Sequence, residues 1–290
     1  MTKESPNFFI VGAAKSGTTA LWAALKTHPS VFLLGDDIYN KEPCFFVKHY
    51  NEESLNNYLS LFLNSGQSRV VGEASTAYLS TTISAKIIHD FNPNSKILIT
   101  LRNPAHRAYS LYNWMVQEGY EWIYPFERAL LSENNRKEKL IPSFFKRAYY
   151  TDYLYFSSGL YYKQVKGFMD LFGENVKVII FEELIANPEK ILDECMNFLQ
   201  VEPVPLLLGR DNPSVDVWSP KLQWVLRILD VLKLKVNQRL PYDYFVIKGR
   251  KAKRPFKIKQ VTKLELMTAY EGDIKSLEML IGKDLNCWRN

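Results

Sequence analysis

A short loop of small residues around one lysine is the first stretch of the chain with chemical potential. Gly12-Ala13-Ala14-Lys15-Ser16-Gly17-Thr18-Thr19 follows the apolar run Phe8-Phe9-Ile10-Val11. It precedes Ala20-Leu21-Trp22-Ala23-Ala24-Leu25, which has helical periodicity. Strand, glycine-containing loop and helix in that order aim the loop N–H groups and the helix N-terminus at one spot, which favours an anion. Lys15 adds a point charge, and Thr18 and Thr19 add hydroxyl donors. A plain βα turn is the bland alternative, and the lysine with the paired threonines favours phosphate binding over it. The loop departs from a Walker A motif, which puts Lys directly after the second glycine. Here Thr18 holds that place and Lys15 sits three residues after the first glycine.

A second anion site fits Arg102. It ends the apolar strand Lys96-Ile97-Leu98-Ile99-Thr100-Leu101, where open α/β sheets bind ligands. Ser110 falls eight residues later, about two helical turns on, with Arg107 between. An arginine fork and a serine hydroxyl can grip a phosphate together. A surface salt bridge is the alternative reading for this segment. An arginine where a metal-holding acid would stand argues against an ATPase or kinase. Two separated phosphate sites suit a nucleotide phosphorylated at both ends.

The elements that must position these residues alternate. Strands are expected at Phe8–Val11, Val31–Leu34, Val70-Val71, Lys96–Leu101 and Val176–Phe181. Helices are expected at Ala20–Leu25, about Ala105–Val116, Tyr161–Phe172, Pro188–Leu199, Lys221–Leu234 and Leu264–Ile281. The second of these has Pro104 in its first turn, and Gly173 closes the third. Strands alternating with helices imply βαβ units and a mostly parallel sheet, with a largely helical C-terminal part. The aromatic-rich stretch from Trp122 to Tyr155 reads as an insertion. The 290 residues are 47% hydrophobic and 23% charged, ordinary globular values that exclude disorder and fibrous repeats. One domain over 1–290 is expected.

The same segments carry a resemblance to the sulfotransferases that use 3′-phosphoadenosine 5′-phosphosulfate (PAPS). Phe8 to Thr19 looks like that family's 5′-phosphosulfate loop. Lys41-Glu42-Pro43-Cys44-Phe45-Phe46 is similar to the K-E-x-x-F-F segment of the heparan sulfate branch. Arg102-Asn103-Pro104-Ala105-His106-Arg107-Ala108-Tyr109-Ser110-Leu111-Tyr112 looks like the 3′-phosphate motif. Ser158-Gly159-Leu160-Tyr161 and the ending from Leu277 to Trp288 also resemble family members, so the likeness spans nearly the whole chain.

The resemblance implies a P-loop-NTPase-like, three-layer α/β fold with a central parallel sheet. It implies PAPS as donor, with no metal required. Lys15, Ser16, Gly17, Thr18 and Thr19 would hold the 5′-phosphosulfate, Arg102 and Ser110 the 3′-phosphate, and Tyr161 would join the donor site. Lys15 would stabilise the leaving phosphate, Glu42 would serve as base, and Lys41 would steady the transferring group or the acceptor. His49 is the alternative base; His28 and His89 read as helix-end or packing residues, and His106 as structural. One departure stands out: the heparan-type enzymes often have Lys where this chain has Ala74 after Glu73.

The net charge of +6 suits a polyanionic partner or simple solubility. The run from Lys248 to Lys259 concentrates part of it, and much of the excess lies between Lys248 and Lys263. By resemblance Lys248, Gly249 and Arg250 close over the 3′-phosphate. A solvated loop, an acceptor contact and a nucleic-acid patch are the other readings. No row of interleaved aromatics marks a single-strand binder, and no nucleic-acid partner is expected. Cys44, Cys195 and Cys287 make neither a disulfide framework nor a zinc site. The first residues lack the apolar core of a signal peptide, and no apolar run spans a bilayer, so a soluble cytoplasmic chain is expected. The expected activity is sulfuryl transfer to a hydroxyl or amine, the expected acceptor being a small molecule, lipid or saccharide bearing a hydroxyl. A P-loop nucleotide kinase and a non-enzymatic polyanion-binding protein are the rival functions.

Overall fold

The computed structural model describes residues 5–36, 40–138, 153–209, 221, 224–225 and 258–289. The helix expected over 221–234 lies outside these residues apart from positions 221, 224 and 225, and the basic run 248–259 lies outside them apart from 258 and 259.

Five strands form one sheet in the order β2-β3-β1-β4-β5. They are β1 (Phe8–Gly12), β2 (Val31–Leu33), β3 (Val70–Glu73), β4 (Lys96–Leu101) and β5 (Val176–Ile180). Every neighbouring pair is parallel. The expected architecture, a central parallel sheet flanked by helices, is the one observed. Parallel strands covered on both faces read as continuous apolar runs, and all five residues of β1 are buried.

The two faces of β1 are covered differently. Phe8 and Ile10 join one core with α1 (Thr18–Lys26) and α10 (Pro188–Leu199), through Leu21, Trp22, Ile191 and Met196 among others. Phe9 points the other way and meets Phe46 edge-on at 5.7 Å. Phe46 in turn packs on Tyr58 of α2 (Glu52–Ser60) and Tyr78 of α3 (Ala77–Ser80). It also packs on Phe91, the last residue of α4 (Ser84–Phe91). Alternate side chains of a strand face opposite sides, so one short apolar run serves two cores.

By packing, the chain divides into two compact units. The first comprises Met1–Asn103, Leu160–Asp211 and Glu271–Asn290 and contains the whole sheet. The second comprises Pro104–Gly159 and Asn212–Tyr270. It holds α5 (Pro104–Gln117), α6 (Phe126–Leu131) and α7 (Glu133–Glu138). The aromatic stretch expected as an insertion falls in this second unit. There Tyr112, Phe126 and Tyr155 form a buried ring cluster with centroids 5.2 to 6.2 Å apart. Buried Arg107 donates to the Tyr155 carbonyl at 2.7 Å.

The remaining helices among the described residues are α8 (Tyr161–Phe172), α9 (Phe181–Ala186) and α11 (Gln260–Ile281). The strand expected over Val176–Phe181 stops at Ile180, and Phe181 opens α9. Glu182 and Glu183 explain the switch, because acids suit the first turn of a helix. Among the described residues no helix is long and apolar enough to cross a membrane.

Gly72 shows how tightly β1 and β3 approach. It lies opposite Phe8, and a Cβ added there would sit 2.1 Å from the Phe8 carbonyl oxygen. Backbone on both sides leaves nothing to yield. Gly72→Ala should therefore destabilise the fold by about 2–3 kcal/mol, read as a lower Tm by calorimetry. An unchanged Tm would contradict this strand pairing.

Candidate active site

The strand order creates the site. β1 runs first, the chain then builds β2 and β3 on one side of it, and β4 and β5 follow on the other. Ligands of open α/β sheets bind outside the strand ends where the order reverses. The residues just past β1, β3, β4 and β5 are the Gly12–Thr19 loop, the Ala74–Thr76 turn, Arg102 and Phe181.

Backbone bonds hold the loop to β4. The Ala13 amide donates to the Thr100 carbonyl at 2.7 Å, and Thr100 Oγ1 donates to the Gly12 carbonyl at 3.2 Å. Lys15 and Gly17 have left-handed backbones, with φ of 66° and 87°. Gly17 is required twice over, since a Cβ there would also lie 2.8 Å from the Phe181 ring. Gly17 caps α1 without a side-chain bond, and no acid stands in the first turn of that helix. The first-turn N–H groups have no intrahelical partner. Ser16 Oγ is buried and has no hydrogen-bond partner. A buried hydroxyl left unpaired is costly unless a ligand accepts from it. These groups fit a phosphate or sulfate at this loop.

Arg102 reaches the same loop. Its Nη1 donates to the Lys15 carbonyl at 3.2 Å, and its guanidinium lies 4.7 Å over the Phe181 ring. Phe181 thus supports both Gly17 and Arg102. The residue type alone gives no hint of this, because Phe181 reads as the end of a buried strand. Tyr161 is fully buried, and its hydroxyl donates to the Arg102 carbonyl at 3.0 Å. It acts on the site through Arg102. Ser110 lies half-buried on α5 in the second unit. Lys248, Gly249 and Arg250 lie outside the described residues.

The Lys41–Phe46 segment lies beside the end of β3. Lys41 is 2% exposed, and its ammonium donates to Glu42 Oε1 at 2.5 Å and to the Ala74 carbonyl at 3.3 Å. Glu42 keeps 29% exposure, and its Oε2 accepts from the Thr76 amide at 3.1 Å and from Thr76 Oγ1 at 2.8 Å. Lys41 is turned inward, so it aims Glu42 and does not itself face solvent. Phe45 and Phe46 pack among aromatic rings, Phe45 stacking on Tyr58 at 4.3 Å. His49 is exposed beyond this segment. His28 is buried, with Nε2 2.8 Å from the Glu202 carbonyl. His89 packs on Phe172 at 5.4 Å, and His106 is half-buried on α5. Among the described residues no cluster of His, Cys, Asp and Glu could hold a metal ion.

Glu73 is the buried acid that residue spacing did not single out. Its Oε1 accepts from the hydroxyls of Tyr58 at 2.7 Å and Tyr78 at 2.6 Å, and its Oε2 accepts from Ser75 Oγ. Ser75 Oγ accepts from the Cys44 amide, and Tyr78 accepts from the Phe46 amide. Glu73 thereby braces the turn that bears Glu42. Burial pushes its carboxyl up to about 7, against the hydroxyl donors that favour ionisation, and nearby Glu42 adds to the rise.

Residues 5–207 match the family model for the sulfotransferase domain. The chain belongs to the sulfotransferase family. A crystal structure of a sulfotransferase from Alicyclobacillus acidocaldarius superposes with a TM-score of 0.71. It is 29% identical, with 99% of each chain covered. Human heparan sulfate glucosamine 3-O-sulfotransferase 6 is 36% identical over 107 residues, covering 37% of this sulfotransferase and 30% of the human protein. The Drosophila melanogaster bifunctional heparan sulfate N-deacetylase/N-sulfotransferase is 25% identical over 217 residues, 69% of this chain and 20% of that one. The sulfotransferase therefore spans well under half the length of these two curated relatives.

The raised carboxyl of Glu73 makes a stability prediction for this sulfotransferase. Its folded value lies above the ordinary 4.5, so the folded chain binds the extra proton between about 4.5 and about 7. The contribution is complete below that window and is lost as pH rises through it, up to ~3 kcal/mol. Denaturant unfolding of the wild type should show stability falling from pH 5 to pH 7. Glu73→Gln should flatten that slope; an equal slope in both proteins would contradict the assignment.

Proposed function

We propose that this chain transfers a sulfuryl group from PAPS to a hydroxyl of an acceptor. The observation that carries the reading is the bond from Arg102 to the Lys15 carbonyl, which brings the two anion-binding elements together at the strand ends. The uncapped α1 terminus and the unpaired Ser16 hydroxyl support a 5′-phosphosulfate at the loop. Arg102 is the proposed anchor of the 3′-phosphate, and the motif resemblance adds Ser110 to that role.

The donor supplies an activated sulfur whose leaving group is a phosphate. Sulfuryl transfer is an in-line displacement, by analogy with phosphoryl transfer. The acceptor oxygen forms a bond to sulfur while the bond from sulfur to the phosphate oxygen breaks. Lys15 and the loop N–H groups stabilise the charge that gathers on the leaving phosphate. Glu42 takes the hydroxyl proton, held in aim by Lys41 and Thr76. Its partial exposure leaves it open to an acceptor, which fits a base better than the fully buried Glu73 does. A saccharide is the acceptor class that the relatives' names favour, since two of them act on heparan sulfate.

Calorimetry with adenosine 3′,5′-bisphosphate tests the donor. The bisphosphate should bind in the absence of added metal, and ATP should bind much more weakly. Lys15→Ala and Arg102→Ala should each weaken donor binding by about tenfold or more, the loss of a charge-assisted contact. Glu42→Gln should lower kcat by roughly 100-fold or more and leave bisphosphate affinity near the wild-type value. Equal affinity for ATP would overturn the donor assignment, and an unaffected kcat would remove Glu42 as base.

A further inference from the structure

Arg102 makes its contacts through a side chain, but its backbone is fixed by a distant part of the chain. Asn103, its neighbour, is buried, and its Nδ2 donates to the Trp288 carbonyl at 2.7 Å. The Asn103 amide donates to Glu182 Oε1 at 3.1 Å. Glu182 Oε2 accepts from Trp288 Nε1 at 2.9 Å. Asn103, Glu182 and Trp288 thus close a ring of three hydrogen bonds. On the other side of the peptide, the Tyr161 hydroxyl donates to the Arg102 carbonyl, and the Tyr161 and Trp288 rings lie 5.9 Å apart. Trp288 is fully buried in a short 3₁₀ turn, Asn286–Trp288.

That turn is itself tied down. The Leu285 amide donates to Glu278 Oε1 at 2.8 Å, and Arg289 grips both oxygens of Glu278 at 2.7 and 2.9 Å. Glu182 also follows Phe181, the ring that supports Arg102 and leaves room for no side chain at Gly17. One end of the ring of bonds therefore sets where the arginine stands, and the other sets the surface it stands on.

We infer that Trp288 and Glu182 are positioning residues that give the donor site its preference for a nucleotide bearing a 3′-phosphate. The inference rests on the donor reading above, because Arg102 is the group that would recognise that phosphate. An arginine held by its backbone on both sides loses little freedom when it binds, so its fork meets the phosphate already aimed. Released from Trp288, the same arginine would have to be ordered by the ligand. The loop of Lys15 would still bind the 5′-phosphate, since besides its contact with Arg102 it keeps the two bonds that join Ala13 and Gly12 to Thr100 of β4.

The test compares adenosine 3′,5′-bisphosphate with adenosine 5′-monophosphate on the full chain. Trp288→Phe keeps a ring in place and removes the Nε1–H donor. Glu182→Gln keeps the size and spoils one of the two accepted bonds. Each should weaken bisphosphate binding roughly tenfold and leave monophosphate binding nearly unchanged, the loss Arg102→Ala should show in larger measure. With PAPS as substrate, KM should rise and kcat should hold. A purely structural role would weaken both nucleotides alike, and that result, or no change in either, would overturn the inference. If Trp288→Phe does not fold, Glu182→Gln decides. Failure of the wild type to prefer the bisphosphate would instead defeat the donor reading and this inference with it.

Discussion

The site depends on β1 having no room around it. Its residues are buried on both faces, and parallel partners pair along both edges. A strand so enclosed can leave the sheet only at its end, and the chain leaving it must turn sharply between its neighbours. Gly12 makes that exit with φ of 145°, and a Cβ there would lie 2.7 Å from Leu79 Cβ. Gly17 completes the turn against Phe181. The anion loop has its shape because close packing admits no side chain at either position, so the same crowding that stabilises the sheet shapes the loop.

Two acids near the end of β3 illustrate how surroundings divide labour between like groups. Glu42 is partly exposed and surrounded by an ammonium, an amide and a hydroxyl, all donors suited to a carboxylate. Glu73 is enclosed and meets only neutral hydroxyls, whose phenols are themselves held protonated by burial and by Glu73. Desolvation therefore dominates at Glu73. The first acid keeps an exposed edge, as the base role proposed for it requires, and the second braces the turn.

Much of this was readable in the sequence, for physical reasons that differ by element. Buried parallel strands announce themselves as apolar runs, so β1 and β4 were plain at Phe8–Val11 and Lys96–Leu101. Glycine and proline mark the ends of α8 and α10, at Gly173 and Pro188, because each restricts the backbone locally. The helices α2 and α4 carried weaker signals. The first is capped by a reciprocal Asn51–Ser54 pair, and neither has a strong apolar run. At the candidate site, Lys15, Glu42 and Arg102 drew notice because each sits in a local motif, and the roles proposed for them start from those motifs. Phe181, Glu182, Glu73 and Trp288 were not, because each acts through a partner far along the chain, and residue type does not encode such a partner.

The bond between Asn103 and Trp288 spans 185 positions. During synthesis the ribosome must add that whole interval before the Asn103 side chain can find its carbonyl. The five described strands are complete by Ile180, and their parallel pairings can assemble while the rest is still being made. The arginine beside Asn103 therefore waits, its backbone unclamped, through the making of the roughly hundred residues between Ile180 and Trp288. The clamp on Arg102 is a late event in the life of the chain, one that closes only when Trp288 has emerged.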